Sequence, residues 1–263
     1  MSILRKWLSG IVHRIARKAP INLLMLIEDK VQFAMGKGFG AATTDEEAKV
    51  IAEFIKDRKI QKIVALDVGA NVGNWTASIL AVLPAAHIIS FEPSKKAFSK
   101  LVPRFRDYPN VSCVNTALGN SDEKSILYAD QSASGLSSLT KRRVAHFGID
   151  FSYSEDIEIA KLDSWIKSQV KDVSPNILKM DVEGHELDVL WGADETLNSI
   201  EIVQFEFGGS NIDTRTFFQD FWYFFIDRGF DIYRISPTGP VLIEKYRESD
   251  ETFRPTNYVA VKK

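Results

Sequence analysis

Apolar and polar positions alternate between two periods along most of this chain. Lys62–Val68 is an apolar, β-rich run that ends at glycine, and Asn74–Leu83 follows with helical spacing until Pro84 stops it. His87–Phe91 is a second apolar run, followed by a helical stretch, Ser94–Phe105, with Phe98, Leu101 and Phe105 on one face. Val111–Leu118, Asn176–Met180 and Glu201–Phe207 read as three more strands, and Asp163–Val170, Glu186–Trp191 and Phe217–Arg228 as helices. Phe217, Phe218, Phe221, Trp222 and Phe225 fall on helical spacing and are assigned to the core. Two final runs, Asp231–Ile235 and Tyr258–Val261, have no helical pattern between them and predict an antiparallel edge pair. Strands alternating with helices of about ten residues imply parallel βαβ units. The expected fold is therefore α/β, a doubly wound, mostly parallel sheet of five parallel strands closed by that antiparallel terminal pair.

Two regions break the rhythm. Residues 120–160 are rich in serine and other polar residues, with short strand-like pieces at Ser125–Tyr128 and Ile157–Leu162. They read as an insertion over the sheet edge, with Ser132–Leu139 as a loop that can cover a site. Within it, Lys141, Arg142 and Arg143 read as a solvated basic face. Residues 1–40 form an N-terminal helical extension to a main domain at 41–263. Thr44-Asp45-Glu46-Glu47 then reads as a capping box that opens a helix.

Composition changes this picture little. Hydrophobic residues make up 45% and charged residues 26% of 263 residues, a globular balance, and the net charge of −2 gives no reason to expect a nucleic-acid partner. A single cysteine excludes an intramolecular disulfide and suits a reducing, cytoplasmic setting. No run of eighteen apolar residues is present to span a bilayer. The extension is the exception to the even charge. It carries Arg5, Lys6, Arg14, Arg17 and Lys18, no acid before Glu28, and Leu4, Trp7, Leu8, Ile11, Val12 and Ile15 at helical spacing. Three readings are open for it: a peripheral helix on the inner membrane face, a transit peptide, or a helix docked on the domain or a second copy.

Candidate chemistry clusters at the strand ends. Asp67-Val68-Gly69-Ala70-Asn71-Val72-Gly73-Asn74 ends the first strand and opens a helix, so ligand is expected there. A pyrophosphate-binding turn needs G-x-G-x-x-G; this one has Gly69-x-x-x-Gly73. Asp67 then offers a carboxylate to an ammonium group such as that of the methionine part of S-adenosylmethionine (SAM). Glu92, in Phe91-Glu92-Pro93, lies 23 residues beyond Gly69, where an acid accepts hydrogen bonds from ribose hydroxyls. The third strand ends at Asn115-Thr116-Ala117, which would border the adenine, with Asn115 and Ala117 as candidate contacts. The candidate cofactor set is Asp67, Gly69, Ala70, Asn71, Gly73, Asn74, Glu92, Asn115 and Ala117. At the fourth strand end stand Asp181, Glu183, His185 and Glu186, and Glu206 ends the fifth. Proton removal from an acceptor group needs a base that titrates near neutrality, for which His185 is placed with Asp181 and Glu206 beside it. A divalent cation on Asp181, Glu183 and Glu206 is the alternative, and Glu186 also reads as an ordinary helix N-terminal acid.

These pieces occur together in one family. Asp67–Trp75, Phe91–Pro93, Ala117–Gly119, Leu162-Asp163, the block Lys179-Met180-Asp181-Val182-Glu183-Gly184-His185-Glu186 and Asn257–Ala260 stand in order over residues 62–263. The chain thereby resembles the FkbM family of SAM-dependent methyltransferases. The resemblance implies a Rossmann-like class I SAM methyltransferase fold and methyl transfer to oxygen, on a sugar, glycolipid or secondary metabolite. The alternatives are another small-molecule acceptor, such as a polyketide or a nitrogen group, and a SAM-binding module without chemistry.

Overall fold

The computed structural model describes residues 19–40, 44–169 and 174–263, together with Trp7, Gly10, Val12 and Ile15. The apolar runs become the central sheet: β1 (Val64–Val68), β2 (His87–Phe91), β3 (Val111–Val114), β7 (Ile177–Met180) and β8 (Ile202–Phe207). Their order is β3-β2-β1-β7-β8 with every pair parallel, as the alternating pattern requires. β1 and β7 have every residue buried, which is why they read as continuous apolar runs rather than alternating ones. The expected strand Val111–Leu118 is broken after Val114. Its last part, β4 (Ala117–Leu118), leaves for a second sheet with β5 (Glu123–Ala129) and β6 (Tyr153–Ala160), two strands that fall within residues 120–160.

β9 (Phe230–Ser236) and β11 (Thr256–Lys262) pair antiparallel, as expected, and β11 also inserts beside β8. A strand with no expectation from the sequence, β10 (Gly239–Leu242), adds to the outer edge. It is short, carries Pro240 and is partly exposed throughout, so no apolar pattern marks it.

Helices cover both faces. α2 (Thr44–Arg58), α3 (Asn74–Val82) and α4 (Lys95–Arg104) pack with Ala65, Ile88 and Ile177. On the other face α6 (Glu186–Trp191) and α8 (Phe218–Asp227) pack with Leu66, Val68, Leu178 and Phe205; α5 (Leu162–Gln169) and the five-residue α7 (Ser210–Thr214) complete the set. Phe218, Phe221, Trp222 and Phe225 are in the core, whereas Phe217 is half exposed. Before α2 stands α1 (Ile21–Ala34), which buries no residue. Thr44 and Glu47 do not close a capping box: Glu47 turns inward onto the sheet, and the Thr44 hydroxyl meets Ser78.

The chain runs outward through β1, β2 and β3 and returns to place β7 on the other side of β1. That reversal opens a crevice beyond the carboxyl ends of β1 and β7, where ligands bind in such sheets.

Candidate active site

The crevice is built around Gly69. Its φ is +77°, and a Cβ there would lie 1.9 Å from the Asp181 carbonyl oxygen, so only glycine lets the β1 turn pass under the β7 turn. The amides of Gly69 and Ala70 both donate to the Phe91 carbonyl (3.0 and 2.9 Å), which ties the β1 turn to the end of β2. Gly73, φ +84°, caps α3, and any side chain would strike Phe105 and Leu101. Its role is helix packing rather than ligand contact.

Two cavities flank this turn. The first is lined by Val68, Gly69, Asn71, Glu92, Pro93 and Thr116, by Ala117, Leu118 and Leu127, by Ser134–Leu139 without Leu136, and by Asp181, Glu183 and His185. The second, of about 330 Å³, is polar and includes Ala70, Asn71, Asn74, Glu47, Lys179 and Glu206. Gly69, Asn71, Gly135 and Asp181 border both. Ser134, Gly135 and Ser137–Leu139 line the first cavity. This segment is held on the β7 turn by the Ser138 hydroxyl, which donates to the Glu183 carbonyl (2.8 Å).

Glu92 reaches the first cavity. One carboxylate oxygen accepts from the Asn71 amide (2.7 Å), the other from the Ser94 amide (2.8 Å). A carboxylate has about four acceptor sites, so two remain for a ligand. Burial pushes its carboxyl up to about 7 against the pull of those amides. Asn115 is corrected: its amide donates to the Glu92 and Pro93 carbonyls (2.8 and 3.0 Å), bracing the β2 turn from outside the cavity, while Ala117 lines it.

Asp67 is also corrected. It is fully buried and lines neither cavity. Its side chain points off the sheet face toward α3, where it accepts from the Thr76 hydroxyl (2.7 Å) and pairs with the Lys179 ammonium (3.1 Å). Lys179 in turn donates to the Gly69 carbonyl (3.2 Å) and lies 3.9 Å from Asp181. Burial alone would lower the lysine, but Asp67 and Asp181 outweigh it and hold it at about 12. Asp67 thus supports the glycine turn through Lys179 from behind the cavities. A polar network continues along this face: the Trp75 indole donates to Gln204 (2.9 Å), and Gln204 and Asn257 each donate to Glu47 (both 2.6 Å). Sequence reasoning read Glu47 only as a helix-capping acid and gave Gln204 no role.

Asp181, His185 and Glu206 fall at one end of the sheet without converging. Asp181 is half exposed between the cavities, His185 lines the first and Glu206 the second. The His185 Nδ1 lies 2.7 Å from Asp188, one helical turn on, and Nε2 lies 3.0 Å from the Thr140 hydroxyl. The orienting acid is Asp188, not Asp181. Glu183, at φ +53°, pairs with Arg142 at 2.5 Å, and Arg142 also reaches Asp213 at 3.4 Å. Arg142 is therefore an internal counter-ion, not part of a solvated face. Among the described residues no three His, Cys, Asp or Glu side chains are placed to hold a metal, because Glu183 faces Arg142 and Glu206 faces the other cavity. The cation set Asp181, Glu183 and Glu206 is corrected accordingly. Glu186 behaves as a helix N-terminal acid, its Oε1 accepting from the Val182 and Gly184 amides (3.0 and 3.2 Å).

Burial pushes the Glu206 carboxyl well above the usual carboxylate range, with Asp181, Glu183 and Glu186 adding to the effect. For an acid raised in the folded state, folding takes up a proton in the window between the ordinary and the raised value. Stability on this account falls as pH rises through that window. Glu206→Gln is expected to raise the melting temperature by roughly 2–6 °C near pH 8, with the gain shrinking toward pH 5. Calorimetry at the two pH values checks this, and an equal or negative shift at pH 8 would show that the carboxylate is compensated in place.

The methyltransferase FkbM domain model matches residues 67–232, which contain all of this site except Gly40, Thr44, Glu47 and Asn257. Among curated proteins the chain is similar to methyltransferase 1 of Beauveria bassiana, 27% identical over 145 residues, covering 49% of this chain and 58% of that one. It is similar to the 2-O-methyltransferase NoeI of Sinorhizobium fredii at 23% identity over 158 residues, covering 57% and 65%. The matches thus span less than two thirds of either relative. Among solved structures it is similar to a precorrin-6y C5,15-methyltransferase from Geobacter metallireducens, with TM-score 0.43, 10% identity and coverage of 82% of this chain and 88% of that one.

Proposed function

Because the chain belongs to the FkbM methyltransferase family, we propose that it moves a methyl group from SAM to a hydroxyl group of a sugar, glycolipid or related small molecule. The residues present fit the donor. Glu92 keeps free acceptor sites facing the first cavity, where ribose hydroxyls would sit. Pro93, Ala117, Leu118 and Leu127 give an apolar wall for the adenine. The missing Cβ of Gly69 leaves the turn free to lie directly beneath. The methionine part would enter the second cavity, whose carboxylates suit an ammonium group, so Asp181, Glu206 and Glu47 take the place first expected of Asp67. When bound, SAM supplies an electrophilic methyl group on a sulfonium.

The observation that carries transfer to oxygen is the His185 arrangement. A carboxylate 2.7 Å from Nδ1 can only accept, so a neutral imidazole with its proton on Nδ1 would present Nε2 as an acceptor to the first cavity. Nε2 now faces the Thr140 hydroxyl, and an acceptor hydroxyl in its place would give up its proton to the same nitrogen. Asp181, at the border of both cavities, would position that hydroxyl, and Ser134–Leu139 would keep water out. His185→Ala is expected to lower kcat by about 10²–10⁴ while SAM affinity stays unchanged. Turnover at the wild-type rate would remove His185 as the base. The reaction class is tested with methyl-labelled SAM and a panel of saccharides, glycolipids and amines. Label on a saccharide oxygen supports the reading; label on nitrogen or carbon alone would overturn it. NoeI carries 2-O-methyltransferase in its name, which favours beginning with sugar hydroxyls.

A further inference from the structure

α1 has an unusual surface. In fourteen residues it buries none, and Ile21, Met25, Leu26 and Val31 are 67%, 60%, 55% and 52% exposed. Leu23–Ile27 are five consecutive apolar residues, so this stretch is apolar on every side before Glu28, Asp29 and Lys30 follow, and exposed apolar patches of this kind mark contact sites. Among the described residues, the polar contacts of the helix with the domain lie in its C-terminal half and just beyond it. Arg254 pairs with Asp29 (2.6 Å), Arg234 donates to the Met35 carbonyl (2.8 Å), and the Gly38 and Gly40 amides donate to Thr256 and Pro255. The apolar part therefore projects as a rooted arm.

Charge selects what covers it. Arg5, Lys6, Arg14, Arg17 and Lys18 precede the helix with no acid among them, and the rest of the chain holds 28 Lys and Arg against 35 Asp and Glu. The domain is thus acidic and the arm basic. Trp7, Val12 and Ile15, also exposed, add apolar side chains among those charges. Basic residues beside apolar ones suit a surface that is anionic outside and apolar within.

We propose that residues 1–35 dock on an anionic lipid bilayer, with the α1 apolar side chains in the acyl boundary and the basic residues among the headgroups. The root of the arm, at Gly40 and Thr44, lines the second cavity, so docking holds that cavity beside the bilayer. The binding needs neither donor nor acceptor and stands apart from the proposed activity.

Flotation of the full chain with phosphatidylcholine vesicles, with and without about one-third phosphatidylglycerol, tests it. Binding is expected to the anionic vesicles only, and to weaken with salt. Neutralising Arg14, Arg17 and Lys18 to Gln should cut partitioning about tenfold or more, and Met25→Glu with Leu26→Glu should abolish it. Both variants alter exposed or terminal positions, and unchanged melting curves would show the domain intact. Absence of anionic binding, or variants that bind as wild type, would overturn the proposal. So would a concentration-dependent dimer in sedimentation velocity that Met25→Glu with Leu26→Glu dissolves while vesicles bind nothing, since a second copy would then cover the helix.

Discussion

Asp67→Ala is expected to lower the unfolding free energy by about 3–5 kcal/mol, the usual cost of leaving one charge of a buried pair without its partner. The charge left behind is the Lys179 ammonium, which is 5% exposed and loses its partner at 3.1 Å. Thr76 loses its acceptor in the same step. For a domain of this size the melting temperature should fall by roughly 6–20 °C, measured by calorimetry at neutral pH. Adding Lys179→Met to the first change should recover much of the loss, because the stranded charge goes with it. A fall below about 1 kcal/mol would mean that Asp181, 3.9 Å away, compensates Lys179 by itself. The location also predicts a functional effect: Lys179 donates to the Gly69 carbonyl, so donor affinity should drop along with stability.

Glu92→Ala is expected to weaken binding of S-adenosylhomocysteine by about 10²–10⁴-fold, read by titration calorimetry. Hydrogen bonds to a charged group contribute about 1.5–3 kcal/mol each, and two ribose hydroxyls would be lost together. Glu92→Gln is not a gentle substitute. Both carboxylate oxygens accept backbone amides, so the new NH₂ group must face a donor and leave it unsatisfied. Affinity should therefore fall in both variants, by less in Gln than in Ala. Wild-type affinity in either would place the ribose elsewhere.

Much of this was legible in the sequence, for a physical reason. Buried parallel strands must be apolar on both faces, so β1, β2, β7 and β8 announce themselves, and the glycine turn fixes where the crevice opens. Asp67 was misread because a residue inside the ladder projects perpendicular to the sheet, not along the strand toward its end. It shares the α3 face with Ala65, leaving the rim to Gly69. Lys179 carried a signal that went unused. A lysine between Leu178 and Met180 in a buried strand requires a partner, and the register sets it opposite Asp67. The Glu47 network could not be read, since its partners Gln204 and Asn257 lie 157 and 210 residues away. Likewise nothing in Lys141-Arg142-Arg143 distinguishes the one arginine that turns inward to Glu183. The sequence offered Asp181 either to orient His185 or to hold the acceptor; Asp188, three residues on and on the same helix face, is the acid beside the imidazole.

The account depends on a single cleft in which the β1 and β2 turns hold an adenosyl group between them. The crystal structure of the chain with S-adenosylhomocysteine tests it directly. The ribose hydroxyls should lie within hydrogen-bond reach of Glu92, the adenine against Ala117 and Leu118, and the amino-acid end past Gly69 toward Asp181. A nucleoside seated away from Glu92, or a β1 turn that makes no contact with it, would contradict the account.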